Sequence, residues 1–195
     1  MAWSRVAGLL STAVALALLG GCSKGSPIDW SAKENFLIVE KSEPISGGAR
    51  LEMHSLVDAP AKAVYDALAD VENYSKFVDG VTESALVSSH DNIKIIQIAQ
   101  TVIGRQAHAE VQWTLYPEQM KIEFRTLKSD ANYNDGTYTV TPSPDGKRSY
   151  VISVYDVKEK GAPQNVPIGV LKTATRDGFE KAARSVKRRA LGQTG

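Results

Sequence analysis

Apolar and polar residues alternate along the chain between residues 106 and 125, and this alternation is the clearest pattern in the sequence. A period of two indicates a β-strand with one buried face and one solvated face. A turn at residues 116–119 divides the pattern, so it predicts two neighbouring antiparallel strands that bury the same face. The apolar positions are Ala107, Ala109, Val111, Trp113 and Leu115, followed by Met120, Ile122 and Phe124.

Further strands are predicted on both sides of this pair. Residues 50–57 alternate in the same way, and residues 36–39 form a short apolar run that adds an edge strand before a turn-rich segment at 42–48. Because the turns between strands are short, we expect a sheet of consecutive antiparallel strands. The remaining predicted strands are 81–89, 93–103, 136–141 and 149–157, which accompany 106–115 and 121–127.

Helical spacing of apolar residues occurs in two parts of the chain. Asp58 is a candidate helix cap and Pro60 suits a first helical turn, so we predict a helix at residues 60–69 and a second short helix at 71–77. A final helix is predicted to begin near Pro167 and to place Leu171, Thr175 and Phe179 on its apolar stripe. With about 24 residues at 1.5 Å each, it is long enough to cross the sheet.

The N-terminus carries an apolar run without charge at residues 6–19, preceded by Arg5. A run of roughly 14 residues is too short to span a bilayer, which needs about 20, and it is typical of an export signal. The run leads into Leu19-Gly20-Gly21-Cys22, which contains the only cysteine of the chain. This arrangement resembles the lipobox of bacterial lipoproteins. The alternative is an ordinary signal peptide cleaved near Gly21, which leaves Cys22 as a free thiol.

The lipobox resemblance implies that residues 1–21 are removed and that Cys22 carries lipid. Two or three acyl chains anchor a protein stably, because each buried methylene contributes about 0.8 kcal/mol. Ser23 stands where an inner-membrane retention signal commonly has Asp. The implied location is therefore the cell envelope, at the periplasmic face of the outer membrane if the cell is Gram-negative. Residues 22–35 are polar and predict a tether, which leaves residues 36–195 as one domain.

Charge is balanced overall but unevenly distributed in this chain of 195 residues with a net charge of +1. Residues 172–189 hold seven basic and two acidic side chains, whereas residues 58–83 hold six acidic and two basic ones. The basic helix either contacts anionic phospholipid or is the solvated back of the domain. An exported, acylated chain would not meet nucleic acid, so we expect no nucleic-acid partner.

The sequence predicts no catalytic site, no metal site and no cofactor. The three histidines, His54, His90 and His108, are scattered without a metal-ligand spacing. His108 and Glu110 could form an acid–base pair, but the alternation places both on the polar face. A solvated cross-strand pair is the favoured interpretation.

The order of elements resembles the START-like helix-grip fold. In addition, residues 57–74, VDAPAKAVYDALADVENY, resemble the opening segment of the polyketide cyclase and coenzyme-Q-binding START branch. The resemblance covers roughly residues 50–191, although Ser75 and Asp79 stand where relatives often have prolines. It implies an α+β helix-grip fold: a curved antiparallel sheet of about seven strands wraps around the long C-terminal helix, and two short helices follow the first main strand.

This resemblance also implies an apolar cavity that holds a hydrophobic ligand such as a phospholipid, an isoprenoid quinone or a sterol-like lipid. The loops beside Asp79-Gly80 and at residues 161–167 are predicted to form its gate. Two alternatives remain open: an enzyme of the polyketide cyclase or aromatase kind, with Gln97, Thr101, Tyr138 and Tyr150 as inward polar groups, or an envelope scaffold with a closed core. The predicted cavity residues are Ala107, Ala109, Val111, Trp113, Met120, Ile122, Phe124, Tyr138, Leu171, Thr175 and Phe179.

Overall fold

The computed structural model describes residues 28–102, 104–159, 161 and 167–193. Strands and helices account for most of these residues. The strands are β1 (Asn35–Ile45), β2 (Gly48–Val57), β3 (Val81–His90), β4 (Ile93–Val102), β5 (Arg105–Tyr116), β6 (Lys121–Ser129), β7 (Tyr133–Pro142) and β8 (Ser149–Lys158). The helices are α1 (Ala61–Ala69), α2 (Ile168–Ala190) and two 3₁₀ helices, Val71–Lys76 and Pro117–Gln119.

The strands form one antiparallel sheet in the order β1-β2-β8-β7-β6-β5-β4-β3. Consecutive strands pair as hairpins, except that β2 pairs with β8 and so joins the beginning of the domain to its end. The sheet is curved but not closed, since β1 and β3 remain as edges. This architecture confirms the predicted α+β helix-grip fold.

The structure corrects the prediction at the first edge strand. The sheet has eight strands rather than about seven, and β1 continues through the segment that was predicted to be a turn. Pro44 is accommodated because an edge strand has only one neighbour to which it must donate hydrogen bonds. The chain reverses only at Gly47, whose φ of 70° suits a glycine in a tight turn.

A second correction concerns the start of α1. No side chain caps this helix, and Pro60 occupies its N-cap position. The Asp58 carboxylate instead accepts a hydrogen bond from Arg148 Nε at 2.5 Å. The second predicted short helix is the 3₁₀ helix Val71–Lys76, and α2 begins within one residue of the predicted start.

Helices α1 and α2 pack against the same face of the sheet and enclose the core. The alternation along β5 and β6 is confirmed, because Val111, Trp113, Ile122 and Phe124 are buried in one large cluster. A smaller cluster lies under the first half of α2 and contains Leu51, Met53, Val157, Leu171 and Phe179. Within the part of the chain that the structure describes, neither α-helix is long and apolar enough to cross a membrane.

Candidate functional site

A chain of aromatic rings crosses the core between the sheet and α2. Neighbouring rings contact one another at centroid distances of 5.1 to 6.5 Å, which is the range of favourable aromatic pairs. The middle of the chain is Phe124, which lies 5.2 Å from Tyr138 and 5.6 Å from Tyr155. In order, the chain comprises Tyr74, Trp113, Phe124, Tyr138, Tyr155 and Phe179.

A cavity of about 40 Å³ lies beside the end of this aromatic chain. Its walls come from α1, from α2 between Phe179 and Val186, and from strands β2, β7 and β8. Most of the lining is aliphatic or aromatic. The polar groups in the lining are the hydroxyls of Ser55, Tyr138, Ser153 and Tyr155.

These hydroxyls differ in how they are hydrogen-bonded. Ser55 Oγ donates to the carbonyl oxygen of Phe36 at 2.7 Å, and the hydroxyls of Tyr138 and Tyr155 lie 3.0 Å apart. Ser153 is fully buried, and its Oγ has no hydrogen-bond partner among the described residues. Burial raises the pKa of Tyr138 and raises that of Tyr155 well above its ordinary value, so both phenols stay protonated at neutral pH.

The cavity is too small for a lipid in the conformation described. Sites for drug-sized ligands measure roughly 300–1,000 Å³, whereas a single water needs only about 10–15 Å³. A volume of about 40 Å³ therefore holds a few small polar molecules at most. A larger ligand requires part of the wall to move.

Helix α2 forms part of the cavity wall, and its two ends are attached to the rest of the domain by different kinds of contact. The last turns carry three ion pairs to other parts of the domain: Lys187 with Glu34 at 2.7 Å, Arg188 with Asp79 at 3.2 Å and Arg189 with Asp70 at 2.8 Å. The first half of the helix instead relies on Leu171 and Phe179, which are buried, and on one pair between Arg176 and Glu40 at 3.1 Å. Ion pairs to other parts of the domain are therefore concentrated at the second end of the helix.

The residues predicted to face the cavity are distributed over the whole core. Two of them, Tyr138 and Phe179, line the cavity. Contact of the remaining residues with a ligand stays a prediction. Of these, Val111, Trp113, Ile122 and Phe124 are buried in the large cluster, Ala109 and Met120 pack against it, Leu171 lies in the smaller cluster, and Ala107 and Thr175 are half-buried.

Sequence reasoning missed the lining residues of β8. Residues 149–157 carry apolar or aromatic side chains on both faces, so their alternation does not say whether Ser153 and Tyr155 point inward.

Among the polar groups considered for an enzyme, Gln97 and Thr101 are exposed. Tyr150 bonds to His54 Nδ1 at 2.8 Å on the other face of β8. Tyr138 alone of these four lines the cavity.

Two polar contacts outside the cavity lie on the exposed face of the sheet. His108 Nδ1 lies 3.1 Å from the carboxylate of Asp130, and Glu110 lies 3.5 Å from Lys128. His108 and Glu110 therefore form separate, solvated cross-strand pairs, as favoured from the sequence.

The basic face of α2 is largely neutralised by carboxylates of the same chain. Five of its cations lie within 4 Å of a carboxylate, so less positive charge is free than the sequence indicates. Contact between this helix and anionic lipid stays a prediction. The paired cations are Arg176, Arg184, Lys187, Arg188 and Arg189.

The predicted gate and the predicted lipid attachment site are described only in part. At the first gate loop, Asp79 pairs with Arg188, and its backbone N–H donates to Ser185 Oγ at 3.3 Å. Residues 162–166 of the second loop lie outside the described residues, as do Cys22 and the rest of residues 1–27.

The segment at residues 28–34 contacts the domain through Arg148. One guanidinium nitrogen of Arg148 donates to the carbonyl oxygens of Trp30 and Ala32, at 2.5 and 2.8 Å. The Trp30 ring also packs edge-on against Tyr150 at 6.4 Å. This set of contacts between Arg148, Asp58 and residues 28–34 is called the N-terminal clasp below.

Comparisons with known proteins agree with the fold. The sequence profile of the family described as polyketide cyclase / dehydrase and lipid transport matches residues 57–184. No protein with a curated description matches the chain.

Several solved structures share the fold at low sequence identity. The Zhui aromatase/cyclase from a Streptomyces species is 18% identical with a TM-score of 0.66, covering 73% of this chain and 93% of that one. A START superfamily protein from Mycobacterium smegmatis is 15% identical with a TM-score of 0.63, covering 73% and 97%. A STAR-related lipid transfer protein from Xanthomonas axonopodis is 13% identical with a TM-score of 0.63, covering 82% and 97%. The chain belongs to the polyketide cyclase / dehydrase and lipid transport family.

Proposed function

We propose that this protein binds a hydrophobic small molecule between α2 and the sheet, while lipid on Cys22 holds it at the cell envelope. The observation that carries the proposal is the cavity under α2, where an apolar wall contains a few buried hydroxyls. Such a wall favours an apolar ligand, since removal of its surface from water contributes about 25 cal/mol per Å². Phospholipid, isoprenoid quinone and sterol-like lipid are the candidate ligands.

Binding requires the cavity to grow, and the first half of α2 is the element that we expect to move. Its ties are the buried side chains of Leu171 and Phe179, the pair between Arg176 and Glu40, and a hydrogen bond from the Ile168 N–H to the Glu159 carboxylate at 2.7 Å. Lifting this half displaces Phe179, which is part of the cavity wall. The apolar surface that it exposes is then covered again by the ligand.

The proposed envelope location is supported by the sequence of residues 5–22. The clasp holds residues 28–34 on the domain, so the chain between an acylated Cys22 and the domain is short. A domain held close to the bilayer can exchange a poorly soluble ligand with it directly.

An enzyme of the aromatase or cyclase kind is the second candidate, favoured by the fold shared with the Zhui aromatase/cyclase. The groups available for chemistry in the described lining are hydroxyls, and the Tyr138–Tyr155 pair is the best placed of them. Turnover of a polyketide or lipid that is lost in Tyr138→Phe would establish this candidate. A closed core that offers only an outer surface to a partner is the third possibility.

Mass spectrometry of bound lipid tests the proposal. The strands and helices of the described residues lie within residues 28–193, so a soluble form spanning residues 24–195 contains all of them. We expect one lipid class at a stoichiometric level in organic extracts of this form, purified without detergent from its native envelope. Extracts that stay empty after incubation with membranes of the source cell would contradict ligand binding and favour the closed core.

Two variants test whether an extracted lipid was bound in the cavity. Ala183 lines the cavity, whereas Ala174 lies on the same helix outside its lining. Ala183→Leu is expected to reduce the extracted lipid several-fold, because the added side chain occupies the volume under α2. Ala174→Leu makes the same change in helix propensity and should leave the lipid content unaltered.

A further inference from the structure

Three side chains with hydroxyl groups lie on two neighbouring strands of the cavity wall. Tyr138 on β7 and Ser153 on β8 are direct cross-strand partners, and Tyr155 is the next inward residue on β8. Facing residues of an antiparallel pair have Cβ atoms about 4.5–5.5 Å apart, so these side chains share one patch of wall. We call the hydroxyls of Tyr138, Ser153 and Tyr155 the hydroxyl patch.

The hydroxyl patch has hydrogen-bonding capacity that the protein does not use. Each hydroxyl provides one donor and two acceptor lone pairs. One tyrosine donates to the other at 3.0 Å, which leaves the hydrogen of the accepting tyrosine available. Ser153 Oγ is fully buried without a partner in the described chain, so its hydrogen is available too. Two O–H donors in the cavity wall are therefore available to a ligand oxygen.

The same wall holds no charge that could stabilise an ionised ligand group. Among the lining residues that the structure describes there is no lysine, arginine, histidine or carboxylate. Burying a phosphate or carboxylate without a counter-charge costs far more than burying a hydrogen-bonded neutral oxygen. Burial also keeps both tyrosines in their neutral form, as the raised pKa values of Tyr138 and Tyr155 indicate.

We infer that the hydroxyl patch binds an uncharged carbonyl or hydroxyl oxygen of the ligand, so that the protein selects neutral lipids over lipids that would place an ionised group in the cavity. This inference rests on the proposed function and narrows its ligand class. It favours a quinone-like or sterol-like molecule, which carries such an oxygen on an apolar frame. A lipid whose buried part is hydrocarbon alone would leave Ser153 unpaired.

Four probes of equal chain length test the selection: dodecanol, methyl decyl ketone, dodecanoate and dodecane. Fluorescence of Trp113 reports their binding, because its ring is stacked on Tyr138 with the centroids 6.4 Å apart. The Trp30→Phe background removes the other tryptophan of the described chain. We expect dodecanol and the ketone to bind at least about three-fold more tightly than dodecanoate or dodecane, as one neutral hydrogen bond allows.

The strand itself supplies a matched control. Ser149 lies on the same face of β8, is equally buried and also has an Oγ without a partner in the described chain, but it does not line the cavity. Ser153→Ala is expected to weaken the alcohol and the ketone about three- to ten-fold and to leave dodecane unchanged. Ser149→Ala should change none of the four affinities. Tyr155→Phe provides a second removal of one hydroxyl if Ser153→Ala does not fold.

The outcomes separate this inference from the proposed function. If dodecanoate binds as tightly as dodecanol, or if Ser153→Ala and Ser149→Ala behave alike, the selection for neutral oxygen is overturned while hydrophobic binding stands. If none of the four probes binds, dodecane included, the cavity does not open and both the inference and the proposed function fail.

Discussion

Replacement of Arg148 with methionine should release residues 28–33 from the domain without unfolding it, while Glu34 stays paired with Lys187. Methionine keeps most of the apolar length of the side chain but removes the donors to Trp30 and Ala32. Hydrogen bonds from a charged donor contribute about 1.5–3 kcal/mol each, so the two bonds together stabilise the docked segment by about 3 kcal/mol or more. Since Asp58 is half-exposed and can be rehydrated, we expect a local rather than a global effect.

Hydrogen exchange measures this release directly. A loss of about 3 kcal/mol corresponds to a drop in protection of roughly two orders of magnitude for peptides covering residues 28–33. Arg50→Met is the matched control, because it breaks the pair between Arg50 and Asp156 at the other end of the β2–β8 strand pair from Tyr150. Equal protection of residues 28–33 in the two variants would refute the reasoning.

If Cys22 is acylated as proposed, we expect the N-terminal clasp to limit how far the domain can move from the membrane. An extended chain spans about 3.3–3.6 Å per residue, so the stretch from Cys22 to Ile28 reaches roughly 20 Å, and release as far as Glu34 raises this to about 40 Å. Because Cys22 is the only cysteine and would be acylated, a dye on Lys147→Cys labels one site. Energy transfer from this dye to membrane acceptors should fall when Arg148→Met is added, and an unchanged transfer would mean that the clasp does not limit the distance.

Three further substitutions test the packing of the domain and the pH dependence of its stability. Gly178→Ala should raise the free energy of unfolding by about 0.5–1 kcal/mol, read from urea melts, because its added methyl meets open space in the interior of α2. Gly136→Ala makes the same chemical change with the opposite result, a loss of about 1–3 kcal/mol, since its methyl would lie 2.6 Å from the Phe124 ring and 2.0 Å from a backbone oxygen. Arg50 lowers the pKa of the Asp156 carboxyl by a hydrogen bond, so the stability that this pair contributes is complete above about pH 4 and is lost as the pH falls through the lowered value. In Arg50→Gln the free energy of unfolding should fall less steeply below about pH 4. An unchanged slope of this free energy against pH would contradict the assignment.

Much of the fold could be predicted because its signals are local. The strict alternation along β5 places Val111 and Trp113 on the buried face, and the apolar stripe of α2 identifies Leu171 and Phe179. These patterns require only that each element bury one face. The order of elements then restricts the arrangement to a sheet around a terminal helix.

The position of the cavity depends on contacts between distant parts of the chain. Residues 150, 152 and 154 of β8 are as apolar as several residues on its other face, so only the pairing of β8 with β2 and β7 determines that Ser153 points inward. In the same way, Asp58 fits a helix cap by its local sequence. Its carboxylate instead accepts a hydrogen bond from Arg148, which lies ninety residues away along the chain.

The uneven charge of the sequence also has an explanation within the domain. Basic residues of α2 and acidic residues of the segment around α1 attract each other, and the pairs of Arg188 with Asp79 and Arg189 with Asp70 join the two. Lys187 adds a pair with Glu34, which lies at the end of the N-terminal clasp. These pairs are half-exposed and individually weak, but together they concentrate the attachment of α2 at its second end. We therefore expect an opening of the cavity to begin at the first half of α2, where buried apolar side chains provide most of the attachment and where a hydrophobic ligand can replace the contacts that are lost.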